Sequence, residues 1–263
     1  MRPLPLSQIL DPTLTGLGRL PARATLTPFP DEQSLRNDVS PWRQSLDGVW
    51  RFQLVDRPTN APEGWETANT SPAPWRDINV PGVWTRQNTG DLPHYANWQM
   101  PFACAKPPEI PRDNPTGLYR TLIWCNGQFA GLAKDSRLPS EFDLSDFVRE
   151  GDNEVAIMVL RWCDATWIED QDHWNHGGLH RSVWIESRGV PHVQDLVVDT
   201  DFDPETQAGQ AKVRVDVHGA SDGCSVTARL EDANGNVVVP SQTAPVAQFD
   251  TTRSTASQWK QSY

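Results

Sequence analysis

Trp124-Cys-Asn-Gly-Gln-Phe129 and, further on, Val155-Ala-Ile-Met-Val-Leu160 decide the fold class of this 263-residue chain. The first run holds two strand-like pieces around Asn126-Gly127, a dipeptide that tolerates the positive φ of a type I′ hairpin turn. The second is apolar at every position, so a strand there belongs inside a layered β fold and is expected to be covered on both faces. Between them Asp135-Ser-Arg-Leu-Pro-Ser-Glu-Phe-Asp-Leu144 reads as a loop, followed by a single helical turn over residues 145–149 that ends near Gly151. Beyond the apolar strand lies Glu169-Asp-Gln-Asp-His-Trp174, crowded with carboxylates and tryptophan. A polar, aromatic loop on the rim of a β scaffold is where a sugar-binding surface is expected.

Composition agrees with that reading. The chain has 12 Trp and 23 Pro residues, as many strands joined by Pro-punctuated loops would produce and helical bundles would not. The net charge of −11 argues against nucleic acid, whose phosphates need a basic stripe; acidic excess reads first as solubility. Residues 1–10 lack the apolar core of a signal peptide, and no apolar run is long enough to span a membrane. Cys104, Cys125, Cys163 and Cys224 show neither metal spacing nor a dense disulfide pattern, which fits buried thiols in a reduced cytoplasm.

Residues 1–45 carry little periodicity and read as an extended arm. Leu46-Asp-Gly-Val-Trp-Arg-Phe-Gln-Leu54 is a first strand, Ile78-Asn-Val-Pro81 a short one, and residues 84–115 a long Pro- and Trp-rich stretch of the kind that belongs to a binding surface. Strand character resumes at residues 119–124, and Ser182-Val-Trp-Ile-Glu186 closes a domain over 46–188. Gly189-Val-Pro191 punctuates the chain. Beyond it come strands at 193–198, 212–217 and 226–230, then a hairpin at Ala233-Asn-Gly-Asn236 into Val237-Val-Val239. A full immunoglobulin-like sandwich needs roughly seven strands over about 100 residues, so residues 191–263 are expected to form a partial one.

Asp164, Glu169, Asp170 and Asp172 form the densest acid cluster. Such carboxylates serve glycosidase chemistry or hard cations, against the plain alternative of a solvated acidic loop. A self-contained hydrolase using Glu169 and Asp172 is disfavoured, because their short separation on one loop does not set them on opposite faces of a sugar. His173, His176 and His180 have no pattern fixing them on one face for zinc. Asn153-Glu154 opens a strand after Gly151-Asp152 and reads as a turn ending. There is no nucleophile elbow, phosphate loop or dinucleotide fingerprint.

A run of motifs in order resembles the amino-terminal portion of the large bacterial β-galactosidases of glycoside hydrolase family 2. It includes Gly18-Arg19-Leu20, Leu46-Asp-Gly-Val-Trp-Arg-Phe52, Asn114-Pro-Thr-Gly-Leu-Tyr119 and Trp124-Cys-Asn-Gly127. Asp135 to Ser145, Leu160-Arg-Trp162, Glu169 to Trp174 and Gly178-Leu-His-Arg-Ser-Val183 complete it. The resemblance implies an all-β chain: a jelly-roll-like galactose-binding sandwich followed by a truncated immunoglobulin-like β-sandwich. The (β/α)8 barrel with both catalytic glutamates is expected to be absent. It further implies retaining hydrolysis of terminal β-galactosides in the full-length family, with this portion inactive alone, and a homo-oligomer binding sodium and magnesium. Alternatives are a stand-alone galactoside-binding module and a subunit-interaction or complementing fragment. Residue by residue, Asn97 looks like the loop asparagine reaching the galactose pocket, with Trp98 beside it. Asp172 looks like the carboxylate that helps hold sodium and a galactose hydroxyl. A second cation site would use Asp164 and the arm near Asp11, but Lys134 stands where a neutral acceptor is expected, and its ammonium would replace the metal. The family pattern also has more chain between Tyr119 and Trp124, so about two strands of five to six residues are expected to be missing there.

Overall fold

The computed structural model describes residues 14–67, 75–95, 121–163 and 172–246, and the backbone of 257–260. From the amino end, β1 (Gly16–Leu17) precedes a short helix, α1 (Glu32–Arg36), then β2 (Arg43–Ser45) and β3 (Gly48–Phe52). β4 (Arg76–Val80), β5 (Gly82–Val83), β6 (Thr121–Cys125), β7 (Gln128–Ala133) and β8 (Val155–Val159) follow, then β9 (Gly178–Leu179) and β10 (Trp184–Glu186). The rest are β11 (His192–Asp203), β12 (Ala208–His218), β13 (Ser225–Glu231), β14 (Val237–Pro245) and β15 (Ser257–Lys260). The chain is all-β. No helix among the described residues is long and apolar enough to cross a membrane.

It divides into two compact units: Met1–Ala22 with Ser45–Trp184, and Arg23–Gln44 with Ile185–Tyr263. In the first, a four-stranded sheet runs β1-β7-β6-β8. The β6–β7 hairpin turns at Asn126 (φ +51°) and Gly127 (φ +75°), the two positive angles that a type I′ turn requires. Asn126 also serves the next connection. Its Nδ2 donates to the Phe147 carbonyl at 2.8 Å, and its Oδ1 accepts from the Glu154 amide at 3.0 Å. Asn153 clips its own turn by donating to the Arg149 and Gly151 carbonyls. The helical turn expected after Asp143 is one turn only, closed on the Leu144 carbonyl by Phe147 and Val148.

The core of this unit is Leu122, Trp124 and Leu132, backed by Trp65, Phe129, Ala156, Met158 and Leu160. Trp124 meets Trp65 and Phe129 edge-on, at 4.8 and 5.2 Å between centroids. The arm joins here. β1 adds to β7, Gly18 (φ +66°) crosses so close that a Cβ would sit 2.4 Å from the Ala130 carbonyl oxygen, and Arg19 donates to the Pro139 carbonyl at 3.0 Å.

One expectation is corrected. β8 is half-buried at every position rather than covered on both faces. Among the described residues it has a single hydrogen-bonded neighbour, β6. Beside it opens a cavity of about 880 Å³ lined by Val49, Phe52, Leu54, Trp65, Trp84 and the whole of β8. Among the described residues an all-apolar strand therefore stands at a sheet edge, where such a sequence is unusual.

In the second unit β11 and β12 form a long antiparallel ladder, with β15 on the far side of β12, and β13 pairs with β14. The turn at 232–236 is clipped by Asp232, whose Oδ1 accepts from the Asn234 and Asn236 amides at 2.8 Å each. By compactness, residues 23–44 of the expected arm group with the second unit, and that division falls after Trp184. Residues 23–44 meet the strand around Glu186 through both backbone and ion pairs: β2 pairs with β10, and the Ser187 amide donates to the Trp42 carbonyl at 2.8 Å. Glu186, a buried carboxylate, is approached by Arg23 and Arg43 at 3.8 Å and by Arg188 at 2.6 Å, so residues 23–44 are tied to the strand that opens the second unit.

Candidate functional site

At the rim of the first unit two segments far apart in sequence run side by side, residues 91–95 and 172–176. His94 and Asn175 form an isolated antiparallel bridge, amide to carbonyl in both directions at 3.2 and 2.6 Å. Trp84 and Arg161 hold the bridge from beneath. The Trp84 indole donates to Asp91 Oδ2 at 2.7 Å. Arg161, on the residue after Leu160, pairs with Asp91 Oδ1 and donates to the Leu92 and Asn175 carbonyls at 2.8 and 3.0 Å. One guanidinium thus joins both segments, using the several fixed donors that a lysine lacks.

The floor is tight for a definite reason. β5 pairs with β9, and the Trp84 amide donates to the Gly177 carbonyl at 2.8 Å. A Cβ on Gly177 would meet the Trp84 ring at 2.0 Å. Beside it, buried Thr85 shares a hydrogen bond of 2.7 Å with His176 Nδ1. Burial pushes the His176 imidazole below its ordinary pKa, and the charges of Arg161 and Arg86 add to that.

Above this floor stands Asp172, exposed, with backbone φ +60°. Asp is among the few non-glycine residues that adopt this region readily. Its Oδ1 accepts a short hydrogen bond from the Tyr95 hydroxyl. Tyr95 lies against Trp174 at 5.5 Å between centroids, tilted by 40°, and Trp174 is 61% exposed. The arrangement is a carboxylate at the edge of an aromatic platform, chemistry suited to hydroxyls on an apolar-faced ring.

Of the residues expected to bind sugar or cation, Asp172 is therefore placed, whereas Asn97, Trp98 and Asp164 lie outside the described residues, as do Asp11, Glu169 and Asp170. Lys134 is buried. The three histidines do not converge: His176 is engaged by Thr85, while His173 and His180 are exposed. Among the described residues no group of three or more His, Cys, Asp or Glu is placed to hold a metal ion. With Oδ1 engaged by Tyr95, Asp172 offers Oδ2 to a hard cation, a fitting oxygen but one ligand of several. Sequence reasoning missed Tyr95, Asp91, Trp84 and Arg161. Arg161 had a signal, since a charge directly after an all-apolar strand must find partners.

An all-β scaffold presenting an aromatic and carboxylate rim defines the class of carbohydrate-handling β-sandwiches. The model of the glycosyl hydrolases family 2, sugar binding domain, matches residues 43–123 and again 120–189. The chain belongs to that family. The two matched segments meet at 120–123, where the chain passes so quickly into Trp124. Among relatives, a β-galactosidase of Erwinia tasmaniensis is 39% identical over 244 residues, 80% of this chain and 23% of that protein. A β-galactosidase of Photobacterium profundum is 33% identical over 259 residues, 89% of this chain and 25% of that protein. The chain spans about a quarter of the length of these relatives. Among solved structures, β-glucuronidase from Ruminococcus gnavus in complex with uronic isofagomine aligns with a TM-score of 0.60 at 19% identity, covering 93% of this chain and 42% of that one. This last likeness shows the fold.

Proposed function

We propose that this chain is the sugar-positioning portion of a β-galactosidase-like glycosidase, and that Asp172 receives a galactose hydroxyl. The observation carrying this reading is the exposed Asp172 carboxylate held beside the Tyr95–Trp174 platform. Asn97 and Trp98, which follow Tyr95 closely in sequence, would complete the wall. The whole enzyme would hydrolyse terminal β-galactosides with retention, through two glutamates of a barrel domain. The part of this chain is binding and orientation: Asp91, the carboxylate on the facing segment, is already held by Trp84 and Arg161. Sodium would share Asp172 with ligands from elsewhere in the whole enzyme, and magnesium is the second expected cation; an oligomer in the cytoplasm is the expected setting.

The test is calorimetry of the purified chain with methyl β-galactoside. Much of the pocket's wall belongs to the barrel in this reading, so weak, millimolar binding is expected, weakened further by Asp172→Ala. Absence of heat at tens of millimolar sugar, on the order of the weakest measurable affinities, would remove the reading, as would an Asp172→Ala chain that binds like the parent.

A further inference from the structure

The geometry points to Tyr95 as the positioning residue for Asp172, a role resting on the proposed function of that carboxylate. Three observations converge. The Tyr95 hydroxyl donates to Asp172 Oδ1, and among the described residues Oδ2 accepts no hydrogen bond. The Tyr95 backbone follows the His94–Asn175 bridge directly, so its Cα is held relative to the loop that carries Asp172. Its ring leans on Trp174, two residues beyond Asp172, which fixes the direction of the hydroxyl.

The physical consequence concerns rotation. An exposed aspartate samples several side-chain rotamers and must lose that freedom when it meets a ligand. Tyr95 removes the freedom in advance, fixing the carboxylate plane and presenting Oδ2 alone. Immobilising one side chain beforehand changes affinity by roughly three- to ten-fold. Tyr95 therefore acts on the sugar through Asp172, as well as by the wall its ring makes with Trp174. The two contributions separate chemically: Tyr95→Phe keeps the ring and removes only the donor, whereas Trp174→Ala removes the platform and leaves the donor.

A double-mutant cycle tests this on the full chain, with methyl β-galactoside affinity read by saturation-transfer NMR. Tyr95→Phe is expected to weaken binding about three- to ten-fold in the parent and to have no further effect in an Asp172→Ala background, where the hydroxyl has lost its acceptor. A merely structural role would leave its cost intact in both backgrounds, and that result overturns the inference. If Asp172→Ala binds as well as the parent, the functional reading of Asp172 fails and this inference with it. If Asp172→Ala weakens binding while Tyr95→Phe is silent, the functional reading stands and only this inference falls. If the parent does not bind, the functional reading falls and this inference with it; a measurement free of sugar tests the Tyr95–Asp172 contact by itself. The Asp172 carboxylate 13C resonance is expected to move in Tyr95→Phe and to stay in place in Trp174→Phe; an unmoved resonance in Tyr95→Phe overturns the assignment.

Discussion

Arg161→Met is the most informative single change in the first unit. The replacement keeps an unbranched apolar stem and removes the guanidinium that joins residues 91–92 to Asn175. Four interactions go at once: the ion pair with Asp91, the bonds of 2.8 and 3.0 Å to two carbonyls, and the guanidinium stacked 4.9 Å from the Trp162 ring centre. Breaking a fully buried pair costs about 3–5 kcal/mol, because the surviving charge is stranded. Two features lower that here. Asp91 retains 26% side-chain exposure and keeps the Trp84 indole as a donor. The carbonyls sit near the rim, where water replaces part of what is lost. The expected destabilisation is therefore about 3 kcal/mol. Denaturant unfolding followed by tryptophan emission measures it, since Trp50, Trp65, Trp84, Trp124 and Trp162 all lie in this unit. In thermal unfolding the same change lowers Tm by about 6–12 °C for a unit of this size. Arg161→Lys keeps charge but loses the multidentate geometry, and it should fall between parent and Met variant. A loss below about 1 kcal/mol for Arg161→Met would refute the claim that one guanidinium holds the rim together.

Gly177→Ala forces a methyl into the Trp84 ring, 2.0 Å from Cζ2, and is expected to cost about 1–3 kcal/mol in the same assay. Gly189→Ala, with nothing within 4 Å of the added Cβ, stays within about 0.5 kcal/mol of the parent. His176 makes stability pH-dependent with a definite sign. Its folded pKa lies below its ordinary value of 6.5, so near and below that pH the unfolded chain binds more protons and the fold weakens as pH falls. His176→Gln should flatten the slope of denaturation midpoint against pH between about 5 and 7; an unchanged slope would show that other groups produce it. The cleft beside β8 should bind an anionic naphthalene dye in the native chain and raise its emission, as exposed apolar surface does. Val49→Glu, at a cleft position 67% exposed, should reduce that signal without changing the near-UV dichroism.

What the sequence disclosed and what it withheld follow from the range of each interaction. Asn126-Gly127 was legible because a type I′ turn is decided by the two residues that make it. The Asp232 clip and the β13–β14 hairpin are local in the same sense. The clamp was not legible. Arg161 binds backbone carbonyls, which carry no residue-type signature, and Asp91 lies 70 positions away. The division of the arm was hidden for a like reason. Nothing near Arg23 announces that Glu186, far down the chain, will hold it in one unit while Arg19 is held by Pro139 and Asp135 in the other. Asp172 was singled out by resemblance, but the hydroxyl that donates to it was not, because Tyr95 and Asp172 meet only across the rim.

β8 lies between the cleft and the rim in the chain. Its sequence, apolar at every position, asks for cover on both faces, and the fold leaves it half-covered beside the cleft. The chain then runs directly from β8 through Leu160 to Arg161, the residue that holds the rim segments together. An edge strand with one partner opens at lower free energy than a strand between two neighbours. Each opening of β8 withdraws the scaffold of Arg161, and with it the alignment of residues 91–95 with 172–176 on which the Tyr95–Asp172 bond depends. Order of the rim is expected to follow how well β8 is covered, and amide exchange at β8 and at residues 91–95 and 172–176 would then fall together.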